Sequence, residues 1–482
     1  MLAGQRNPAT HDRGGGGAGG AVDPDRGRNY HSSITTPDTH HHLPRRLGLV
    51  STTSVLVGIV IGSGIFRVPA EVAAEVGSVG ATTLLWVVGA ALSLGGALTL
   101  AELCGTYPNA GGAYVFLREA YGPLIAFLFG WVKLVVTGPA AIAAVSLIFS
   151  AYAGTFLPLT NLQQKLLACA LIVGLSAANI RSISLSAAIQ NSSTIAKVLA
   201  LVALALLLFA FGSPEHGALS RPIEWAPASW GGFGLALIAV LWTYVGWVDV
   251  TYLAGEVVDP GRTFPRAMLL GLGVVMAVYL LANAAYLYVL PVEEIARSGS
   301  VAATAAERVF GVTGSRLVAA LVLVSTFGSL NATFLTNPRV FYAMAQDGMF
   351  PEAIARVHPR YRSPHVALIL YMVLGIIGVM TKTFEQLAQI FVLGIWPFYA
   401  LTVGVVFVAR RRHPDRVPVY RTWGYPVVPA LFIVASIAML LNALIRRPAQ
   451  AGISAGIMAL GVPVYFAWRS SRARKAAAAV QP

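Results

Sequence analysis

Gly58-Ile59-Val60-Ile61-Gly62-Ser63-Gly64-Ile65-Phe66 places three glycines and a serine in the middle of the first long apolar run of the chain. A helix in hydrocarbon satisfies its own backbone. An unwound turn at that depth leaves N–H and C=O groups that cost several kcal/mol each, unless they are buried in protein or line a cavity. Two readings follow. Gly58 and Gly62 have the four-residue spacing that lets a neighbouring helix approach closely. Gly62-Ser63-Gly64 also reads as a break in the helix that opens onto a binding site.

The rest of the chain gives that stretch a membrane setting. Only 11% of the 482 residues are charged and 56% are hydrophobic, against roughly 25% charged in soluble domains, too few charges for a water-facing surface. Apolar stretches of on the order of 20 residues recur between polar or Pro/Gly-rich breaks, and about twelve can be counted. They cover residues 48–77, 81–105, 123–152, 163–180, 187–211, 232–256, 267–290, 315–344, 364–382, 385–409, 427–445 and 450–468. The fold class is an all-α polytopic membrane protein with one transmembrane domain over residues 44–470. By the excess of Lys and Arg on cytoplasmic segments, about 23 of the 34 such residues fall on one side, which puts both termini in the cytoplasm. Arg446 and Arg447 in the last external turn run against that rule. The formal charge of +14 is thus a topological signal; its cations are spread over many short loops, not gathered in a nucleic-acid-binding stripe.

Residues 1–43 are rich in Gly, Asp, Arg and His and read as a disordered cytoplasmic tail, with a second short tail at 471–482. No apolar region follows the early charges, so no cleaved signal peptide is expected. His40, His41 and His42 read as a solvated run in preference to a metal site. Cys104 and Cys169 sit in or near apolar spans and read as packing residues. No metal, no cofactor and no enzymatic nucleophile or zinc motif is expected.

A second interruption lies in span six, Leu241-Trp242-Thr243-Tyr244-Val245-Gly246-Trp247-Val248-Asp249. Spans one and six are each first in a group of five. Breaks at matching positions of two halves are the sequence pointer to an inverted-repeat transporter with its substrate held between them. Repeat one would cover about 48–211 and repeat two about 232–409, with spans eleven and twelve (about 427–468) outside. If span one unwinds at Gly62, the second half-helix starts with the free N–H groups of Ser63, Gly64 and Ile65 at its positive end, which suit a carboxylate. Carbonyls at Val60, Ile61, Leu241 and Trp242 suit an ammonium. A zwitterionic α-amino acid carries both.

The chain resembles the L-type amino acid transporters of the amino acid, polyamine and organocation superfamily. The resemblance rests on Gly62-Ser63-Gly64-Ile65-Phe66 with Pro69, Ala101-Glu102-Leu103, and the run Pro108 to Pro123. It continues in Tyr244 to Trp247, Glu256, Asp259 to Ala267, Gly328-Ser329-Leu330-Asn331 and Arg339 to Pro351. It implies a LeuT-like 5+5 repeat with helices one and six broken, and a substrate held at Ile61, Gly62, Ser63, Gly64, Ile65, Trp242, Tyr244, Val245 and Gly246. By position and resemblance Trp242 closes over the substrate as a gate, where a lone Trp would otherwise face lipid.

Lys197 is a bare cation early in span five, costing roughly 2.5 to 3.5 kcal/mol at a helix centre. It either snorkels to the inner edge or is held inside, and the resemblance favours the second: sodium-independent relatives carry a lysine where sodium-coupled ones bind the ion. Asp249 and Glu102 are the candidate proton carriers, each with a structural alternative as a helix-packing or edge partner. Asn283, Ser325 and Asn331 either line the cavity or stitch helices together. Arg67 either strengthens the positive field at the first break or reaches outward. Val245 stands where relatives carry a small or acidic residue, which argues against cationic substrates; Val248 and Gly255 also depart from the family pattern. Ala153 to Lys165 lacks the loop cysteine of the vertebrate light chains, so no disulfide-linked heavy subunit is expected. The resulting expectation is a plasma (inner) membrane transporter of neutral α-amino acids, sodium-independent and working by exchange. The alternatives are proton-coupled uptake of amino acids or amines and a non-transporting amino acid receptor.

Overall fold

The computed structural model describes residues 43–480 apart from 221, 382, 383, 416 and 447. Its helices are α1 (Leu49–Val60), α2 (Gly64–Val76), α3 (Val79–Thr106), α4 (Ala113–Tyr121), α5 (Pro123–Val132), α6 (Gly138–Ala153), α7 (Asn161–Arg181), α8 (Ile183–Phe211) and α9 (Trp230–Tyr244). They continue as α10 (Pro260–Val289), α11 (Val292–Arg297), α12 (Val301–Phe310), α13 (Val312–Thr336), α14 (Pro338–Gln346), α15 (His365–Thr381), α16 (Phe384–Arg412), α17 (Val427–Arg446) and α18 (Pro448–Val480). His40, His41 and His42 lie outside the described residues.

Among the described residues nine helices are long and apolar enough to cross a membrane, and the α1–α2 pair, bent by 45°, makes ten. The expected spans nine and ten correspond to α15, 17 residues, and α16, 29 residues. Polar caps start several of these helices where the chain turns back. Ser78 accepts from the Ala81 N–H before α3, Thr160 and Gln163 form a reciprocal capping box before α7, and Ser229 caps α9. Each satisfies N–H groups that a helix start leaves unpaired.

Three local departures from plain helices matter for the site. Span one unwinds over Ile61 to Ser63, and its halves then pack on different partners, α1 on α8, α10 and α13 and α2 on α9 and α11. Span six ends as α-helix at Tyr244; Val245 is extended, Gly246 has φ 134°, and the chain resumes as a 3-10 turn, Asp249–Leu253. Span three contains a π-turn, Lys133–Thr137, between α5 and α6. Pro139 has no N–H for the carbonyl four residues back, and the Gly138 N–H instead bonds five residues back to Lys133.

Two expectations need adjustment. The final helix runs to Val480, so residues 471–480 of the stretch read as a tail are helical, as their Ala-rich sequence favours. The short helices α11 and α12 between spans seven and eight were not expected, since neither is long or apolar enough to register as a span.

Two ion pairs, one fully and one partly buried, tie spans to neighbouring segments. Arg339 and Glu256, each 1% exposed, form a two-point pair at 2.8 and 3.2 Å. The Glu256 carbonyl accepts from the Arg46 and Leu47 N–H groups, so this pair anchors the strip of chain entering α1. Glu102 accepts from Arg410 at 2.9 and 2.8 Å and from the Thr422 N–H and hydroxyl. It pairs with an arginine, as expected, and Arg410 belongs to the last turn of α16 and not to a loop.

Candidate functional site

The two breaks meet. A methyl placed on Gly64 would come 2.5 Å from the Thr243 Cγ2, and one on Gly246 would come 2.6 Å from the Ile59 Cγ2. Glycine is required at both positions by close approach, and at 246 by φ as well. Gly58 answers the other reading of the opening stretch: a Cβ there would collide with the Gln190 amide of α8. Gly58 therefore serves helix packing and Gly62 to Gly64 form the break, so the two explanations divide the glycines between them.

Between the breaks lies a cavity of about 110 Å³. Its wall comprises Ile59, Val60, Gly62, Ser63 and Gly64 from span one, Trp242, Thr243, Val245 and Asp249 from span six, Ala140, Ala141, Ala144 and Val145 from α6, and Ser329 and Thr333 from α13. The N-cap residue Ser63 makes no side-chain capping bond to α2, and Ser63 and Gly64, which open that helix, belong to the cavity wall, with the positive end of the helix behind them. Trp242 is half-buried and forms part of this wall.

Lys197, fully buried, reaches α1 from α8. Its Nζ donates to the carbonyls of Gly58 at 3.0 Å, Ile61 at 2.8 Å and Ser325 at 2.7 Å, and to the Ser329 hydroxyl at 3.1 Å. It does not snorkel. Ser325 donates to the Ile61 and Gly62 carbonyls, and Ser329 contacts those of Gly58 and Ile61 at 2.8 and 3.1 Å. Tyr279 of α10 joins the two breaks, donating toward both the Val60 and the Thr243 carbonyls at 2.8 and 3.1 Å.

Several sequence expectations are relocated by this geometry. A carbonyl has two lone pairs, and that of Ile61 lies within hydrogen-bond distance of Lys197 Nζ and of the Ser325 and Ser329 hydroxyls, more donors than it can accept. The Val60 carbonyl accepts from the Gly62 N–H and Tyr279, and that of Trp242 from the Val245 N–H. Ile61 and Val60 are thereby filled, so an ammonium would not be taken there, whereas the Trp242 carbonyl keeps one lone pair. The side chains of Ile61, Ile65 and Tyr244 are buried and, like Gly246, are not part of the cavity wall; the Tyr244 hydroxyl donates to the Trp86 carbonyl at 3.3 Å. Asn283 donates to the Tyr279 carbonyl within α10. Asn331 bonds to the Ser186 carbonyl and to Gln190 and Asn179, stitching α13 to α8 and α7. Ser325 sits behind the break and not in the cavity wall. Arg67 is half-buried in the first turn of α2. Cys104 and Cys169 are free thiols on α3 and α7, and among the described residues no group of His, Cys, Asp and Glu could hold a metal.

Sequence reasoning missed Lys133, whose Nζ lies 3.0 Å from Asp249 Oδ1 and 2.9 Å from Asn337 Oδ1. A lysine inside span three, in Trp131-Val132-Lys133-Leu134, carried the same signal as Lys197. Tyr279, Thr333 and the α6 alanines were also missed, and nothing in their local sequence distinguishes them from packing residues.

A family model described as amino acid permease matches residues 47–468. The chain belongs to the amino acid permease family. Among its relatives, the Serine/threonine exchanger SteT of Bacillus subtilis (strain 168) is 32% identical over 434 residues, covering 89% of this chain and 98% of that protein. The human b(0,+)-type amino acid transporter 1 is 33% identical over 420 residues, 84% of each chain. The human Large neutral amino acids transporter small subunit 2 is 31% identical over 435 residues, 88% of this chain and 80% of that one. A permease needs a path through the bilayer with a site inside it, and the broken helices with their shared cavity supply the candidate.

Proposed function

We propose that this permease exchanges neutral α-amino acids across the plasma (inner) membrane by alternating access, without sodium, with both termini cytoplasmic. The observation that carries the reading is the meeting of the two helix breaks at one small cavity whose first wall is an uncapped helix N-terminus. The carboxylate would be received by the N–H groups of Ser63, Gly64 and Ile65. The ammonium would turn to carbonyls whose helical partners lie beyond the breaks. Ile59 would need the Ser63 N–H, and Leu241 has lost the Val245 N–H, which bonds to Trp242 at 3.2 Å. Trp242, half-buried in the wall, would be the gate. The relatives named as exchangers and amino acid transporters support the same activity.

Sodium independence rests on Lys197, whose ammonium fills the ring of oxygens formed by Gly58, Ile61, Ser325 and Ser329. The inverted 5+5 repeat is supported by breaks in spans one and six alone, each first in its set of five. The chain would work without a disulfide-linked heavy subunit, since 153–165 holds no cysteine. Counterflow tests the reading: proteoliposomes should accumulate a labelled neutral amino acid only when preloaded with an unlabelled one. Accumulation that follows a pH gradient into empty vesicles points to proton coupling, and binding without movement to a receptor. Glu102 is held by Arg410 and Thr422 and Asp249 by Lys133, so neither carboxylate favours the proton-coupled reading.

A further inference from the structure

Asp249 is the one charged residue in the cavity wall among the described residues. A carboxylate facing a water-poor membrane cavity draws cations, yet here its charge is already matched. Lys133 Nζ sits 3.0 Å from Oδ1, 2.9 Å from Asn337 Oδ1 and 5.0 Å from the centre of the Tyr252 ring. Lys133 is not among the residues of the cavity wall, and its side chain is only 3% exposed while that of Asp249 is 10% exposed. Asn337 Nδ2 reaches the other oxygen, Oδ2, at a long 3.4 Å.

The contrast with Glu256–Arg339 is informative. That pair is held at two points with both members 1% exposed, as a purely structural pair would be. Lys133–Asp249 is held through a single carboxylate oxygen and borders the cavity. Lys133 also opens the π-turn of span three, a feature that re-aims side chains locally and is frequent at functional sites.

We infer that Lys133 sets the charge selectivity of the site by neutralising Asp249, so that the cavity accepts neutral side chains and turns cationic ones away. With the pair intact, an incoming ammonium or guanidinium meets a carboxylate already matched and a like charge beside it. With Lys133 absent, the same carboxylate becomes an uncompensated acceptor at the wall. Lys133 acts through Asp249 and is a positioning and charge-setting residue. This inference rests on the amino acid transport proposed above.

The test is competition against one labelled neutral amino acid, in proteoliposomes of the full chain, by a panel of serine, leucine, lysine, ornithine and glutamate. In Lys133→Met, lysine and ornithine should compete at concentrations at least about tenfold lower than in the parent, and adding Asp249→Leu should abolish that gain. In Asp249→Asn, which leaves the ammonium unmatched, glutamate should gain and the cations should not. A purely structural role would lower the amount or rate of exchange and leave the order of competitors unchanged. A Lys133→Met protein with the parent's order overturns the inference. Should that variant fail to reach the membrane, the parent's order in Asp249→Asn overturns it equally. If the parent itself exchanges no neutral amino acid, the transport reading fails; ligand-induced thermal shifts with the same panel then decide the charge preference separately.

Discussion

Lys197→Ala removes a cation that holds span one at its break and just before it, by the carbonyls of Ile61 and Gly58. The bonds to Gly58 and Ile61 are 3.0 and 2.8 Å long, and a hydrogen bond from a charged donor contributes about 1.5 to 3 kcal/mol. The fold feels less than their sum, because Ser325 and Ser329 hydroxyls still reach the same carbonyls and because burying an ammonium costs several kcal/mol that the variant no longer bears. Substrate binding feels the loss more directly, since it depends on the position of the turn that follows. If one such bond's worth of ordering is lost, about 1.5 to 3 kcal/mol, apparent affinity falls about 10- to 150-fold. The vacated space is ringed by oxygens, which suit a hard cation, so sodium should restore part of the affinity. The assay is equilibrium competition with sodium and with choline in its place. An unchanged affinity, indifferent to sodium, would refute the role given to Lys197.

Gly64→Leu drives a side chain into Thr243, where even a Cβ would lie 2.5 Å from the methyl; binding should be lost while the protein still inserts, as read by surface accessibility and ligand-induced thermal shift. Tyr279→Phe deletes the hydroxyl that bonds to both breaks. One proton shared between two carbonyls, about 0.5 to 1.5 kcal/mol, predicts a lower unfolding temperature and slower exchange with the substrate order intact. Glu102→Gln leaves Arg410 with a neutral partner; the protein should be less stable to heat, and transport should keep the parent's dependence on pH. A pH profile that flattens in this variant would instead make Glu102 a proton carrier.

The broken helices were legible because glycine and hydroxyl residues are conspicuous in an apolar run. Lys197 was legible because a lone cation there demands partners. Lys133 made the same demand and went unread, for its partners Asp249 and Asn337 lie 116 and 204 positions away and the π-turn that aims it arises from a hydrogen-bond slip beside Pro139. The asparagines show the limit of local sequence: Asn283 and Asn331 look alike on paper, yet one bonds within its own helix and the other joins three helices. The ammonium side of the site was misjudged for a related reason. Helix ends do free carbonyls, as expected, but which of them a lysine, two serines and a tyrosine then occupy depends on contacts across more than 100 residues.

The central claim is that the main chain of the first break receives the substrate. A density map of the protein equilibrated with its best competing neutral amino acid tests it most directly. The account predicts a carboxylate within about 2.7 to 3.2 Å of the Ser63, Gly64 and Ile65 N–H groups, with Trp242 closed over it. A substrate found away from Gly62 to Ile65, or one bound through a charged side chain, would contradict it.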